Sequence, residues 1–319
     1  MPIIMPAEGA VLERVLETAY ASWHGLSRHA AVRFDAALRG TPWARDHERR
    51  FAVVDGSRVL ASAQRHILSA TLAGRRVRVC GVGAVFVDPD GEDRHAQDLV
   101  EWLIDDATAE YDLALLNVTT EQTSQVPAGF EVIPTNEVQL HVAESTRHGA
   151  PMTLVRSGED RDLAAIVAMG VARASPFRFH LNRDVEYVKY AITKKRLLAG
   201  LGPAGARQLQ FVIAEEGITA AAYVVMSVSE GSWTIEECGD RDPSGARVGA
   251  ILQALIAREP AERRPVIRAW MPPRFVPPQV AIRPERFSTR VVMLKVLDPT
   301  LEPPHLSADD VLYWRSDSC

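Results

Sequence analysis

The 319-residue chain has no basic surplus: 36 lysines and arginines stand against 41 aspartates and glutamates, the net charge is -5 and the pI is near 6.0. Nucleic-acid surfaces need concentrated positive charge, so no nucleic-acid partner is expected. Cysteine is scarce as well. Cys80, Cys238 and Cys319 are odd in number, far apart and in no C-x-x-C pair, which excludes a disulfide framework and gives no zinc pattern. No run approaches the roughly 20 apolar residues of a membrane span, and the opening MPIIMPAEGAVLER lacks a basic stretch followed by an apolar one. A cytoplasmic protein with no membrane partner is the expectation. The histidines form no His-x-x-x-His pair, so no metal is expected, and there is no G-x-S-x-G elbow.

What is present is an ordinary globular composition, 47% hydrophobic and 24% charged, with 20 glycines and 20 prolines dispersed along the chain. The length is about twice a typical domain, which predicts two. Val11, Leu12, Val15, Leu16, Ala19, Tyr20 and Trp23 share one helix face, and a second helix follows over 29–38. RFAVVDGSRVLASAQ reads as a hairpin around Asp55-Gly56, and RRVRVCGVGAVFV as the next strand. After a loop, Leu99, Val100, Leu103, Ile104 and Ala107 line a further helix, and LALLNV, FEVI and EVQLHV close the half. The polar AESTRHGAP is the boundary, giving domains over 1–145 and 151–319.

The second half repeats the order. MTLVRS, two helices, a hairpin around Glu216-Gly217, WTIEECG, a loop, a helix with Val248, Ile251, Leu252, Leu255 and Ile256, then PVIRAW and RVVMLKVL form the same series. This is an internal duplication of an α/β (α+β) unit, best buried as mixed sheets with helices on both faces.

The loops before the two late helices align residue by residue. Asp88-Pro89 is followed by Gly91, Arg94, Ala96 and Leu99; Asp242-Pro243 by Ser244, Arg247, Gly249 and Leu252. Small residues at a helix start let a ligand approach the backbone, and the free first-turn amides with the helix dipole favour an anion, so the pattern suits a phosphate. A plain helix start has the same composition, but its repetition favours a ligand site.

The element order, V-x-P after the third strand, the strand ending VFV, the helix start His95-Ala96-x-x-Leu99, Trp23 and the terminal GFEVIP resemble the GCN5-related N-acetyltransferases, in a tandem arrangement whose first half is similar to lysine N-acetyltransferase-like members. The resemblance implies an acetyl-coenzyme A cosubstrate, its pantetheine arm along Val85, Phe86 and Val87 and its pyrophosphate at Gly91, Arg94, His95, Ala96 and Gln97. It implies N-acetyl transfer to a primary amine of a small molecule or amino acid, with a homo-oligomer possible. The departures are specific. Gly91 stands where the family carries Arg or Gln, Arg94 where it carries Gly, and Glu92 and Asp93 add acid beside the phosphate position. Gln125 occupies the place of the family's general-acid tyrosine, with Ser124 before it, so no catalytic residue is assigned. A catalytically silent acyl-coenzyme A binder or scaffold is therefore the alternative.

Three other signals fit less well. Gly200-x-Gly202-x-x-Gly205 follows a helix and precedes a strand, the reverse of a dinucleotide site. Asp88, Asp90 and Glu92 lack the glycine of a calcium loop, where Asp93 sits. Glu236 and Glu237 are possible bases for an amine, although strand carboxylates usually face solvent.

Overall fold

The computed structural model describes residues 1–20, 25–120, 123, 126–135, 137–143, 154–272, 274–284, 290–302 and 304–318. Trp23, Ser124, Gln125 and Cys319 lie outside the described residues. The chain runs β1 (Ile3–Pro6), α1 (Gly9–Ala19), α2 (Arg28–Arg39), α3 (Pro42–His47), β2 (Glu48–Asp55), β3 (Arg58–Leu72), β4 (Arg75–Val87), α4 (Arg94–Ala107), β5 (Leu113–Thr119), β6 (Glu131–Ile133) and β7 (Glu137–Val142). It continues through β8 (Leu154–Ser157), α5 (Leu163–Ala174), β9 (Phe179–Leu181), α6 (Val185–Leu201), β10 (Gln208–Glu216), β11 (Thr219–Ser229), β12 (Ser232–Asp240), α7 (Ala246–Ile256), β13 (Val266–Trp270), β14 (Val280–Pro284), β15 (Arg290–Val296) and β16 (Val311–Leu312).

The helices follow their apolar stripes. In α1, Val11, Leu12, Val15, Leu16 and Ala19 are buried; in α4 the buried set includes Leu99, Val100, Leu103, Ile104 and Ala107. Ser27 caps α2 by accepting the Ala30 amide at 3.2 Å, which satisfies one of the free donors of the first turn. Strand alternation sends neighbours to opposite faces. On β4, Val77 and Val79 join the core under α2, while Cys80 and Val82 join the core under α4. On β11, Ala222, Val224 and Met226 pack with α7, while Tyr223 and Val225 pack with α5 and α6. Both sheets are therefore covered on both faces.

The sheets have nine and seven strands and share one order. The first is β1-β2-β3-β4-β5-β15-β6, with β9 and β16 added off that path; the second, read in the same sense, is β8-β10-β11-β12-β13-β7-β14. Most pairs are antiparallel, but β4–β5, β12–β13 and β9–β16 are parallel. The sheets do not respect a division of the chain at 145–151. β7 pairs with β13 and β14 in the second sheet, and β15 lies between β5 and β6 in the first, so each half lends its last long strand to the other. One hydrophobic core also joins the halves, with Phe34, Trp43 and Leu115 beside Tyr187, Tyr190 and Val292. The unit that buries a core is the pair.

Candidate functional site

The site begins where β4 leaves β5. These strands pair through residues 79–82 and 113–116, and beyond Val82 the ladder stops. Opposite Ala63 of β3, β4 places two residues, Ala84 and Val85, because Ser62 pairs with Phe86 and Gln64 with Gly83. Ala84 takes φ 48°, a left-handed conformation that L residues adopt at a cost, and the bulge turns the rest of β4 away from β5. Asn117, Val118 and Thr119 continue on β5 with their β4-side edge open.

That wedge opens into a cavity of about 440 Å³ lined from both halves of the chain. Val85 and Ala84 form one side and 116–119 the other, with Ala96 and Val100 from the first turns of α4. The second half supplies the far wall: Lys194, Lys195 and Leu198 of α6, Ser227 of β11, Glu236 of β12, and Arg207, Arg290 and Arg315. Glu236 is itself a bulged residue, since Met226 pairs with Ile235 and Val225 with Glu237. Its carboxylate lies 2.7 Å from Lys195 Nζ and accepts from Ser227 Oγ at 2.6 Å. Burial alone would raise the Glu236 pKa, but Lys195 and Ser227 outweigh it and hold it below the ordinary value. Glu237 is fully buried and bound by Tyr223 Oη at 2.9 Å, Ser316 Oγ at 2.6 Å and Arg183. Neither glutamate faces open solvent, contrary to the usual fate of a strand carboxylate. Glu237 is a structural clamp, whereas Glu236 is on the cavity.

Of the residues expected at the coenzyme, Val85 and Ala96 line this cavity. Phe86 points to the opposite face, into the core under α1, and Val87 is half-buried. Gly91 donates its amide to Asp88 O at 2.8 Å within the loop. His95 and Gln97 are half-buried on α4, and neither lines the cavity. Arg94 is exposed, 3.6 Å from Glu92 and 3.9 Å from Asp98, so the protein's own acids already claim its charge. Asp88 turns to Arg58 at 2.6 Å. Among the described residues the amides of Glu92, Asp93 and Arg94 have no acceptor at the start of α4, whose N-cap Asp93 makes no side-chain cap bond.

The second loop differs decisively from the first. Its helix start is filled by Asp240, whose side chain is fully buried and accepts from the Arg247 amide at 2.8 Å, from Arg247 Nη1 at 3.1 Å and from the Asp242 amide at 2.9 Å. Gln279 covers the next turn: a Cβ on Gly249 would lie 1.9 Å from Gln279 Oε1. An internal carboxylate holds the place that the sequence pattern offered to a phosphate, so the repeat of the motif is not a repeat of an open anion site. In the first loop the position of Asp240 is held by Phe86.

Apart from Glu236, which the sequence offers as a possible base, the cavity residues of the second half carry no local motif, and the charge run Lys194-Lys195-Arg196 on α6 is the one further signal. Among the described residues no group of three His, Cys, Asp or Glu could hold a metal, and no helix is long and apolar enough to cross a membrane.

Solved structures match this architecture over nearly the whole chain. A GCN5-related N-acetyltransferase from Kribbella flavida aligns with TM-score 0.64 at 19% identity, covering 93% of this chain and 71% of that one. One from Anabaena variabilis aligns with TM-score 0.66 at 10% identity, covering 93% and 73%. The chain has the GCN5-related N-acetyltransferase fold. The Saccharomyces cerevisiae N-myristoyltransferase, with bound myristoyl-coenzyme A, aligns with TM-score 0.52 at 11% identity, covering 92% and 82%. No family model and no curated protein sequence matches the chain. The wedge between β4 and β5 and the start of α4 both belong to the first half, with Val85, Ala96 and Val100 lining one cavity.

Proposed function

We propose that the protein is an acyl-coenzyme A-dependent N-acyltransferase whose cosubstrate lies along the first-sheet wedge and whose amine acceptor enters the cavity. The supporting observation is that the wedge opens directly into a cavity lined from both halves, while the equivalent loop of the second half is filled by Asp240. The coenzyme supplies an activated acyl thioester. The open strand edges offer backbone groups to its arm, and amides beyond the bulge are positioned to polarise the carbonyl. The cavity walls orient the amine toward the wedge. Glu236, the single carboxylate among the described cavity residues, stays ionised against Lys195, so the acceptor attacks as the free amine and gives its proton to water as the coenzyme thiolate leaves.

The test pairs binding with turnover. Acetyl-coenzyme A at 100 times its dissociation constant should add about 2.7 kcal/mol of stability. Thiol release across a panel of primary amines should exceed the buffer rate and rise with pH as the amine loses its proton. Binding without release would leave a silent acyl-coenzyme A binder; absence of binding would remove both readings.

A further inference from the structure

Charge at the cavity is largely settled within the protein. Lys195 is held by Glu236 at 2.7 Å and Arg315 by Glu137 at 2.9 Å. Arg290 donates to Asn117 Oδ1 at 2.8 Å, Lys194 Nζ donates to Ser318 O at 3.2 Å, and each makes a further interaction. Arg207 is partly exposed, so water serves its guanidinium. The ionic groups therefore leave little for a ligand to complete.

Two neutral groups are in a different position. The Arg290 bond fixes the Asn117 amide with Oδ1 toward the guanidinium, so Nδ2 is a donor, and it is buried without an acceptor on a residue 6% exposed. Trp270 Nε1 is a second buried donor without an acceptor, on a residue 2% exposed. Both side chains line the cavity. They stand on one side of the first sheet: Asn117 shares the β5 face of Leu115 and lies opposite Val292 of β15, and Leu115, Val292 and Trp270 belong to one core. The Arg315 guanidinium, 5.2 Å from the Trp270 ring centroid, and Arg290 complete that wall.

A buried N–H left unmatched costs the desolvation of the group, and an indole N–H can only donate, so the complement of this wall is an oxygen with lone pairs. A carboxylate would need a cation of its own, and those in the buried wall are engaged. A hydroxyl would bring a further hydrogen to place. A carbonyl oxygen has two lone pairs, no charge and no hydrogen.

We propose that the acceptor is an amine that also carries a neutral amide carbonyl, as an amino-acid amide or a peptide does, and that Asn117 Nδ2 and Trp270 Nε1 hold that oxygen. This rests on the acyltransferase reading above. An amine without the carbonyl leaves both donors buried and unmatched, which is the condition under which a site rejects an analogue most strongly. The thioester carbonyl of the cosubstrate is a second source of the same chemistry, and the experiment separates the two.

Binding of glycinamide, β-alaninamide and γ-aminobutyramide is measured by calorimetry on the full chain, each beside the alkylamine and the aminoalkanoate of equal chain length. The variants are Trp270→Phe, which keeps an aromatic ring under Arg315 and removes the N–H, and Asn117→Asp, which keeps an acceptor for Arg290 and removes the donor. At least one amide should bind about tenfold tighter than its alkylamine, and each variant that retains a native thermal transition should erase most of that difference. Alkylamines bound as tightly as the amides, an aminoalkanoate preferred to its amide, or an amide preference indifferent to both variants would overturn the proposal. So would a Trp270→Phe protein whose kcat falls alike for every amine while amide binding is unchanged, the result expected if the donors serve the thioester. Failure of acetyl-coenzyme A to bind, or of every amine to release thiol, would refute the acyltransferase reading; an amide preference in calorimetry that depends on Trp270 would still establish the carbonyl site.

Discussion

His66 should make the protein acid-sensitive in a measurable and assignable way. The ring is 1% exposed between β2, α3 and α6, and neither ring nitrogen has a hydrogen-bond partner. Trp43 stacks on it at 6.1 Å between centroids. Glu48 stands 3.9 Å away, but its oxygens are occupied by Gln64 Nε2 at 2.6 Å and Tyr190 Oη at 3.0 Å. Burial, with the charges of Lys194 and Arg50, pushes the imidazole pKa down to about 3. In the unfolded chain it returns to roughly 6.5. Because the folded value is the lower one, its stabilising contribution is complete above about pH 6.5 and is lost as pH falls toward 3. Between pH 8 and pH 5 the unfolded chain takes up nearly one proton here and the native chain almost none, a loss of about 2 kcal/mol. The assay is urea unfolding at both pH values for the native sequence and for His66→Phe, which keeps an aromatic ring against Trp43 and cannot titrate. The variant should lose about 2 kcal/mol less than the native chain over that interval. Equal losses in the two proteins would show that His66 is charged or hydrated in the native state and would refute the reasoning.

Two further outcomes follow from the architecture. Asp240→Asn should destabilise the fold by about 2 kcal/mol, because the Arg247 guanidinium and two amides lose a charged acceptor, while acetyl-coenzyme A affinity stays the same in calorimetry; a drop in affinity would move the cosubstrate to the second loop. A fragment of residues 1–145 lacks β15, so β5 and β6 lose their common partner and the core loses Val292, Met293 and Leu294; it should show no cooperative thermal transition, and a two-state melt would show that the halves fold separately.

Local features were legible because their causes are local. The stripes of α1, α4 and α7 lie on the buried faces that their spacing indicates, and the hairpins turn at Gly56 and Gly217. The exchange of β7 and β15 was not legible. Alternation tells which face of a strand is apolar, and EVQLHV or RVVMLKV satisfies either sheet equally well; the choice of neighbour is decided by contacts about 170 residues away, such as Met293 against Leu116. The loop at 88–94 reads as a repeated motif when it is aligned from Asp88 and Asp242. Two residues earlier the halves diverge, Phe86 against Asp240, and that single difference decides whether the helix start is open or already holds an anion.

The exchange also accounts for the character of the cavity. β15 pairs with β5 from Arg290 opposite Thr119, which delivers a second-half guanidinium to the open end of the first-half wedge, beside Asn117. β7 carries Glu137 into the second sheet, where it holds Arg315. α6, docked on α2 and α3 of the first half, presents Lys194 and Lys195 to the same space. One half thus keeps an open wedge, while the other has filled the start of its own helix with Asp240 and contributes cations to the cavity beside that wedge. Two sheets of one strand order differ at this point by a few side chains, and the strand exchange fixes where those side chains stand.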